Sequence, residues 1–371
     1  VALELPDFPW DSLAPYADEA RTHPDGIVDL SVGSPVDPTP ELIRAALTAA
    51  TDAHAYPQTA GSPALREAIV EWYARRRRVP DLGVANVIPT IGSKEFVSLL
   101  PTLLGLGPSD VVVQPTAAYP SYAVGAAVVG ATVLSSDEPD DWPDSTRLVW
   151  LNSPGNPDGR VHGVEFLRRA VVRARELGAV IANDECYAEL DWANPGETTP
   201  SILDPRVTQG SRHLTLSVYS LSKQSNLAGY RAGIVAGCSD LVGELLAARK
   251  NLGLIPPAPV QAAMIAALGD DSHVAAQRER YRTRREALRG ALEAAGFRID
   301  GSEAGLYLWA TRGEDAWATV AALARLGILV TPGGFYGEAG REHIRIALTV
   351  SDEGVRSAVE RLAALPVAPL Q

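Results

Sequence analysis

The chain has 371 residues, 46% apolar and 21% charged, enough for two to three domains of roughly 150 residues and a core that can bury a preorganised site. With 45 acidic against 33 basic residues the net charge is −12, which argues against nucleic acid or an anionic membrane as partner. Two cysteines, Cys186 and Cys238, cannot build a disulfide framework and suit a reducing cytoplasm, and the six scattered histidines never reach metal-ligand spacing, so no metal is expected. No apolar run approaches ~20 residues, and the opening VALELPDFPWDSL lacks the basic and apolar stretches of a signal peptide.

In chain order, residues 1–38 are rich in Pro and Asp, show little periodicity, and are expected to form an arm laid over another part of the molecule. Helices are predicted to start at TPELIRAALTAA, with Thr39 as N-cap and Pro40 first in the helix, and at SPALREAIVEWYARRR, with Ser62 and Pro63 in those roles. The arginine run 75–78 closes the second helix, where cations suit the dipole. Short apolar runs at 111–113, 131–134, 147–151, 179–182, 214–219 and 233–236 then alternate with helical stretches such as 163–177 and 239–252. That alternation predicts an α/β fold, a mostly parallel sheet covered on both faces. Pro256 and Pro257 break the pattern. Beyond them come a long charged helix at 272–295, strands at 305–310, 328–330 and 343–349, and helices at 314–326 and 352–364. The expected division is an arm (1–38), a large domain (39–255) and a small α+β domain (256–371).

Six segments carry chemistry. SVYSLSKQSNLAGYRAG (217–233) follows a strand and sets Ser220, Ser222 and Lys223 in a polar turn, with Arg231 eight residues past the lysine. A sheltered amine is what an aldehyde cofactor needs to form an imine, and hydroxyls with a forked arginine suit its phosphate. ANDECYAEL (182–190) puts Asp184 at a strand end, where ligands of open α/β sheets bind. A carboxylate there can keep a pyridine nitrogen protonated, with Tyr187 reaching the ring oxygen. In LNSPGNPDG (151–159) the turn residues punctuate a loop, and Asn156 offers an amide to that same oxygen. PTIGSKEFVSLL (89–100) opens a helix whose N–H groups at Gly92, Ser93 and Lys94 suit an anion, although a plain N-cap has the same appearance. In QPTAAYPSY (114–122), Tyr119 either stacks on the ring or packs in the core. EHIRIALTV (342–350) places Arg345 in an apolar strand, so it is paired either with a structural acid or with a substrate carboxylate.

Taken in order, these segments resemble the fold type I aminotransferases that use pyridoxal 5′-phosphate (PLP), the class I/II aspartate-aminotransferase-like group, from about Leu30 to Leu362. LSVGSPVDPTP is similar to the L-x-x-G-x-P-x-x-x-T-P segment of that family, and YPQTAGSPALREAI to its Y-x-x-x-x-G-x-x-x-L-R-x-A segment. The resemblance implies a seven-stranded large-domain sheet and a homodimer with shared active sites. In it, Lys223 is the Schiff-base lysine and proton shuttle, Asp184 faces the pyridine nitrogen, and Asn156 and Tyr187 face the ring oxygen. Gly92, Ser93, Lys94, Ser220, Ser222 and Arg231 take the phosphate, with Tyr56 from the neighbouring subunit. Tyr119 stacks on the ring, while Gly33, Asn156 and Arg345 hold the substrate carboxylate. NPDG stands where the family usually has NPTG. LSVGSPVDPTP and TPGGFYGEAG look most like actinobacterial succinyldiaminopimelate transaminases, which implies N-succinyl-LL-diaminopimelate as donor and 2-oxoglutarate as acceptor. Aspartate or aromatic aminotransferases and C–S β-lyases share the same motifs. A transcription regulator with an aminotransferase-like domain would need a DNA-binding module and a basic linker, which this acidic sequence does not display.

Overall fold

The computed structural model describes residues 5, 6, 8–194 and 198–365, so the outermost ends of the expected arm and small domain, 1–4 and 366–371, lie outside the described residues. Thirteen strands occur among the described residues: β1 (Val28–Asp29), β2 (Val87–Ile91), β3 (Val111–Gln114), β4 (Thr132–Ser135), β5 (Thr146–Asn152), β6 (Val180–Asp184), β7 (Thr215–Ser220), β8 (Ala232–Gly237), β9 (Arg298–Asp300), β10 (Tyr307–Thr311), β11 (Ile328–Leu329), β12 (Thr331–Pro332) and β13 (His343–Ala347). Seven of them form one sheet in the order β2-β8-β7-β6-β5-β3-β4. All pairings are parallel except those of β8 with β7 and β2.

This sheet is buried on both faces because its strands alternate between two apolar layers. Val149, Leu151 and Ile181 face the helices Pro63–Arg76, Val164–Glu176 and Ala258–Gly269. Leu148, Trp150, Val180 and Ala182 face Gly92–Leu103, Ser121–Val129 and Ser239–Asn251. Strands with two covered faces read as unbroken apolar runs, which is why they stood out in the sequence. The covering helices are one-sided: Val164–Glu176 buries Leu167, Ala170, Val171 and Ala174, the 3- and 4-residue spacing of a single stripe.

A second unit holds the antiparallel sheet β12-β13-β10-β9 and the helices Ser272–Ala294, Ala316–Arg325 and Asp352–Leu362. The N-terminal segment packs on this unit. Its helix Ala14–Arg21 lies against Ala316–Arg325, and β1 pairs in parallel with β11.

Three expectations need correction. Ser62 caps its helix as predicted, accepting from the Leu65 N–H at 3.2 Å. Thr39 caps nothing: Pro40 is the N-cap of Glu41–Ala49, and the Thr39 hydroxyl donates to the Asn226 carbonyl at 2.9 Å. The boundary at 255/256 also moves. Pro257 starts the helix Ala258–Gly269, whose Ala263, Met264, Ala267 and Leu268 pack into the large-sheet core beside Ile69 and Trp72. A proline at a helix start ends one helix and launches the next, so the chain leaves the large unit only near Asp270–Ser272. The run 75–78 is more than a helix end: Arg75 pairs with Asp271, Arg76 with Glu189, and fully buried Arg77 with Glu185 at 2.7 Å.

Candidate active site

The carboxyl ends of β2, β3, β5, β6 and β7 and the start of antiparallel β8 share one edge of the large sheet, and the second unit closes over it. Between them lies a cavity of about 630 Å³ whose lining includes Gly33, Ser93, Lys94, Tyr119, Asn156, Asp184, Tyr187, Ser220, Ser222, Lys223, Arg231 and Arg345. Twelve residues singled out along more than 300 positions of sequence thus meet in one place. Gly92 stands behind the wall, and Tyr56 is 99% exposed and outside this cavity.

Lys223 projects from a one-turn helix, Leu221–Gln224, that follows β7 directly. Ser220 caps that turn, accepting from the Ser222 N–H at 3.2 Å, and its hydroxyl donates to the Ser222 hydroxyl at 2.8 Å. The Lys223 amine donates to the Gly33 carbonyl. Burial lowers its pKa, and repulsion from Arg345 and Arg231 adds to the effect against an opposing pull from Tyr307 and Cys186. Arg231, in a left-handed conformation, donates to the Ala228 carbonyl at 2.8 Å and lies so close to Gly92 that a Cβ there would come within 2.3 Å of its Nη2. Only glycine at position 92, with φ of 72°, lets the arginine reach the N-terminus of Gly92–Leu103. Ser93, Ser220, Ser222 and Arg231 therefore gather hydroxyls, helix N–H groups and a guanidinium at one end of the cavity, a donor set that fits a phosphate.

Asp184, 6% exposed, also lines the cavity. It accepts from the Tyr122 hydroxyl and the Cys186 N–H, each at 3.1 Å, and has no cation partner among the described residues. Burial raises its pKa despite those bonds. A carboxyl held in this way suits a ligand that brings a protonated ring nitrogen. Tyr187 and Asn156 come from the neighbouring strand ends; Asn152 fixes the Asn156 loop by accepting from the Asn156 N–H at 2.8 Å. Tyr119 is half-buried and meets Tyr122 edge-on, with ring centres 5.9 Å apart. Lys94 is exposed, its ammonium 5.6 Å from the Phe8 ring of the arm.

Arg345, for which the sequence offered a structural acid or a substrate carboxylate, lines the same cavity. It is 3% exposed and has no carboxylate partner among the described residues. Its Nη1 donates to Asn156 Oδ1 at 2.9 Å and its Nη2 to the Ser31 carbonyl at 2.6 Å, while its Nε has no partner. The bond from Arg345 occupies the Asn156 oxygen, leaving that amide's nitrogen as the group it can offer a ligand. Among the described lining residues four are basic (Lys94, Lys223, Arg231 and Arg345) and one is acidic, Asp184. A cavity with that balance receives anions.

Sequence reasoning missed several lining residues. Phe8 and Trp10 of the arm, Cys186 beside Asp184, and Tyr307 of β10 all face the cavity. Tyr307 gave no signal because β10 is buried on both faces and its aromatic residues look like core.

The aminotransferase class I and II family profile matches residues 25–362. OxyQ of Streptomyces rimosus, a 4-dedimethylamino-4-oxo-anhydrotetracycline transaminase, is 53% identical over 97% of this chain and 99% of its own. An LL-diaminopimelate aminotransferase of Dehalococcoides mccartyi is 32% identical over 97% of this chain and 96% of its own. The crystal structure of aminotransferase AspB from Helicobacter pylori superposes with a TM-score of 0.87 at 27% identity, covering 97% of this chain and 98% of that one. The chain belongs to the class I and II aminotransferases, enzymes of fold type I that depend on PLP. The donor set described above fits that cofactor: an amine, a phosphate-binding cluster and a buried carboxylate in one cavity.

Proposed function

We propose that this chain transfers an amino group from an α-amino acid to a 2-oxo acid, with Lys223 as the catalytic amine. Bound PLP supplies a carbonyl that condenses with amines and a ring that accepts the electron pair released at the substrate α-carbon. Lys223 anchors the cofactor at rest. Its Nζ would take the substrate α-proton and later return it; the lowered pKa keeps a neutral fraction available. Asp184 keeps a proton on the pyridine nitrogen, and Tyr187 and Asn156 hold the ring oxygen. Ser93, Ser220, Ser222, Arg231 and the N–H groups from Gly92 onward hold the phosphate. Arg345 clamps the α-carboxylate beside Gly33. The observation that carries this reading is the buried, acid-free Arg345 in one cavity with Lys223 and Asp184.

Resemblance points to N-succinyl-LL-diaminopimelate as donor and 2-oxoglutarate as acceptor, and the relatives named for LL-diaminopimelate support a donor of that kind. The 53% identity to OxyQ, together with Phe8 and Trp10 along the cavity, favours a second reading in which the acceptor oxo group is borne on a large ring system. A homodimer with Tyr56 reaching the neighbour's phosphate is the assembly we infer, supported by the full exposure of that side chain.

Lys223→Ala tests the reaction: turnover is expected to vanish while the folded protein still binds PLP non-covalently. Undiminished turnover would refute it. A donor panel of N-succinyl-LL-diaminopimelate, glutamate, aspartate and phenylalanine, followed by the cofactor's absorbance change, tests the substrate. If the succinylated compound reacts no faster than aspartate or phenylalanine, that assignment fails and the transaminase reading stands. Release of ammonia without any added 2-oxo acid would instead mark a C–S lyase.

A further inference from the structure

Tyr307 begins β10 in the second unit, yet its hydroxyl reaches the site assembled on the large sheet. The register explains how. Tyr307 is opposite Ala347 on β13, so Arg345, two residues away, shares its face as a diagonal neighbour. The Arg345 guanidinium lies 4.0 Å from the centre of the Tyr307 ring. The Tyr307 hydroxyl is 3.2 Å from the Tyr187 hydroxyl and presses on Gly33, where a Cβ would come within 2.1 Å of it. The carbonyl of that same Gly33 receives the Lys223 amine. One phenol, 4% exposed, therefore touches the arginine, the tyrosine and the backbone on which the proposed chemistry depends.

The charged and titratable groups that act on it or feel it are Arg345, Lys223, Tyr187, Cys186, Tyr119, Tyr281 and Tyr336. Burial pushes the Tyr307 phenol up, but Arg345 and then Lys223 outweigh it, and its pKa ends below the ordinary 10.0. Tyr187 is raised, first by burial and then by Tyr307, against a weaker opposing pull from Arg345. Either hydroxyl can donate in the hydrogen bond between them.

We propose that Tyr307 is a positioning residue that aligns the Arg345 fork with its ring and holds the Tyr187 hydroxyl with its own, coupling the carboxylate clamp of the second unit to the cofactor wall of the first. The role rests on the transaminase reading above. It separates into two parts, because phenylalanine keeps the ring and loses the hydroxyl, whereas leucine loses both.

The test compares wild-type holoenzyme with Tyr307→Phe and Tyr307→Leu, using whichever donor the wild type accepts best. Tyr307→Phe is expected to lower kcat by about threefold to tenfold, the size of one hydrogen bond, with KM within about twofold. Tyr307→Leu should add a rise in KM of about tenfold as the guanidinium loses its ring. In the cofactor-free protein, ultraviolet difference titration should show one tyrosinate forming below the ordinary value and missing from Tyr307→Phe. If Tyr307→Phe matches wild type in kcat and keeps that early tyrosinate, the proposal is overturned. Equal effects of the two variants on kcat with unchanged KM overturn the ring's part. If Tyr307→Leu does not fold, the Tyr307→Phe arms decide alone. A wild type that exchanges amino groups with no donor refutes the transaminase reading instead, while the titration still reports on Tyr307.

Discussion

Replacing Arg345 with glutamine is the most informative single change, because it is expected to move activity and stability apart. The guanidinium is buried, unpaired by any described acid, and aimed into the cavity. A substrate carboxylate bound there forms a desolvated, forked ion pair, and truncating one partner of such a pair typically costs about 2–5 kcal/mol. At about 1.4 kcal/mol per tenfold, kcat/KM for an α-amino acid should fall by roughly 30-fold to several thousand-fold. In the free protein the same change removes a buried charge. The Ser31 carbonyl keeps its bond from the Thr331 hydroxyl at 2.7 Å, and only Asn156 Oδ1 loses its donor. That charge-assisted bond is worth about 1.5–3 kcal/mol and the ring contact with Tyr307 adds to it, but relief of a buried, acid-free charge offsets them, so urea unfolding of the cofactor-free protein should change by no more than about 2 kcal/mol. The assay is steady-state kinetics with an amino acid and with the matching amine that lacks the carboxylate. Equal losses on both, or a stability drop of several kcal/mol, would show that Arg345 is a structural residue.

Three further outcomes are expected. Arg77→Met should destabilise the fold by about 3–5 kcal/mol, because it strands Glu185, which is buried beside Asp184 and also accepts from Ser201 and Ile202; adding Glu185→Gln should recover most of the loss in urea melts, and no recovery would count against a charge effect. His162 stacks on Phe166 with ring centres 4.1 Å apart, and burial, followed by Arg160, lowers its pKa from 6.5 to about 4. The unfolded chain therefore binds the proton more readily than the folded one between those values, so stability is lost as pH falls from about 6.5 to about 4, by up to roughly 3 kcal/mol, and His162→Gln should flatten that part of the pH–stability curve. Finally, Tyr56→Ala and Lys223→Ala chains, each inactive or impaired alone, should regain activity when mixed and reassembled, since hybrid dimers restore one complete site; no gain on mixing would refute sites shared between subunits.

Much of this site was legible because its parts are local. A largely apolar strand announces both itself and the loop beyond its carboxyl end; Asp184 closes β6, and Asn156 and Lys223 lie just past β5 and β7. The Gly-Ser step before a helix marked Ser93 in the same way, although the strand feeding it, β2, went unread because Pro89 interrupts its apolar run.

What the amino-acid order determined, then, was the alternation of elements, the two-faced sheet and the loops that carry the amine, the carboxylate and the amide, all set by periodicities spanning fewer than about ten residues. Tertiary structure alone decided the pairings. Whether Arg345 met an acid or an open cavity depended on Ser31, 314 positions earlier, and on Asn156, 189 positions earlier. The helix Ala258–Gly269 joined the large core through contacts with Glu41–Ala49 and Pro63–Arg76, not through anything in its own pattern. Tyr307 became part of the site by strand register, which brings β10 against β13 and both over the sheet edge. Local sequence carries no record of such through-space neighbours, because the energy that selects them is released only when distant apolar surfaces close on one another.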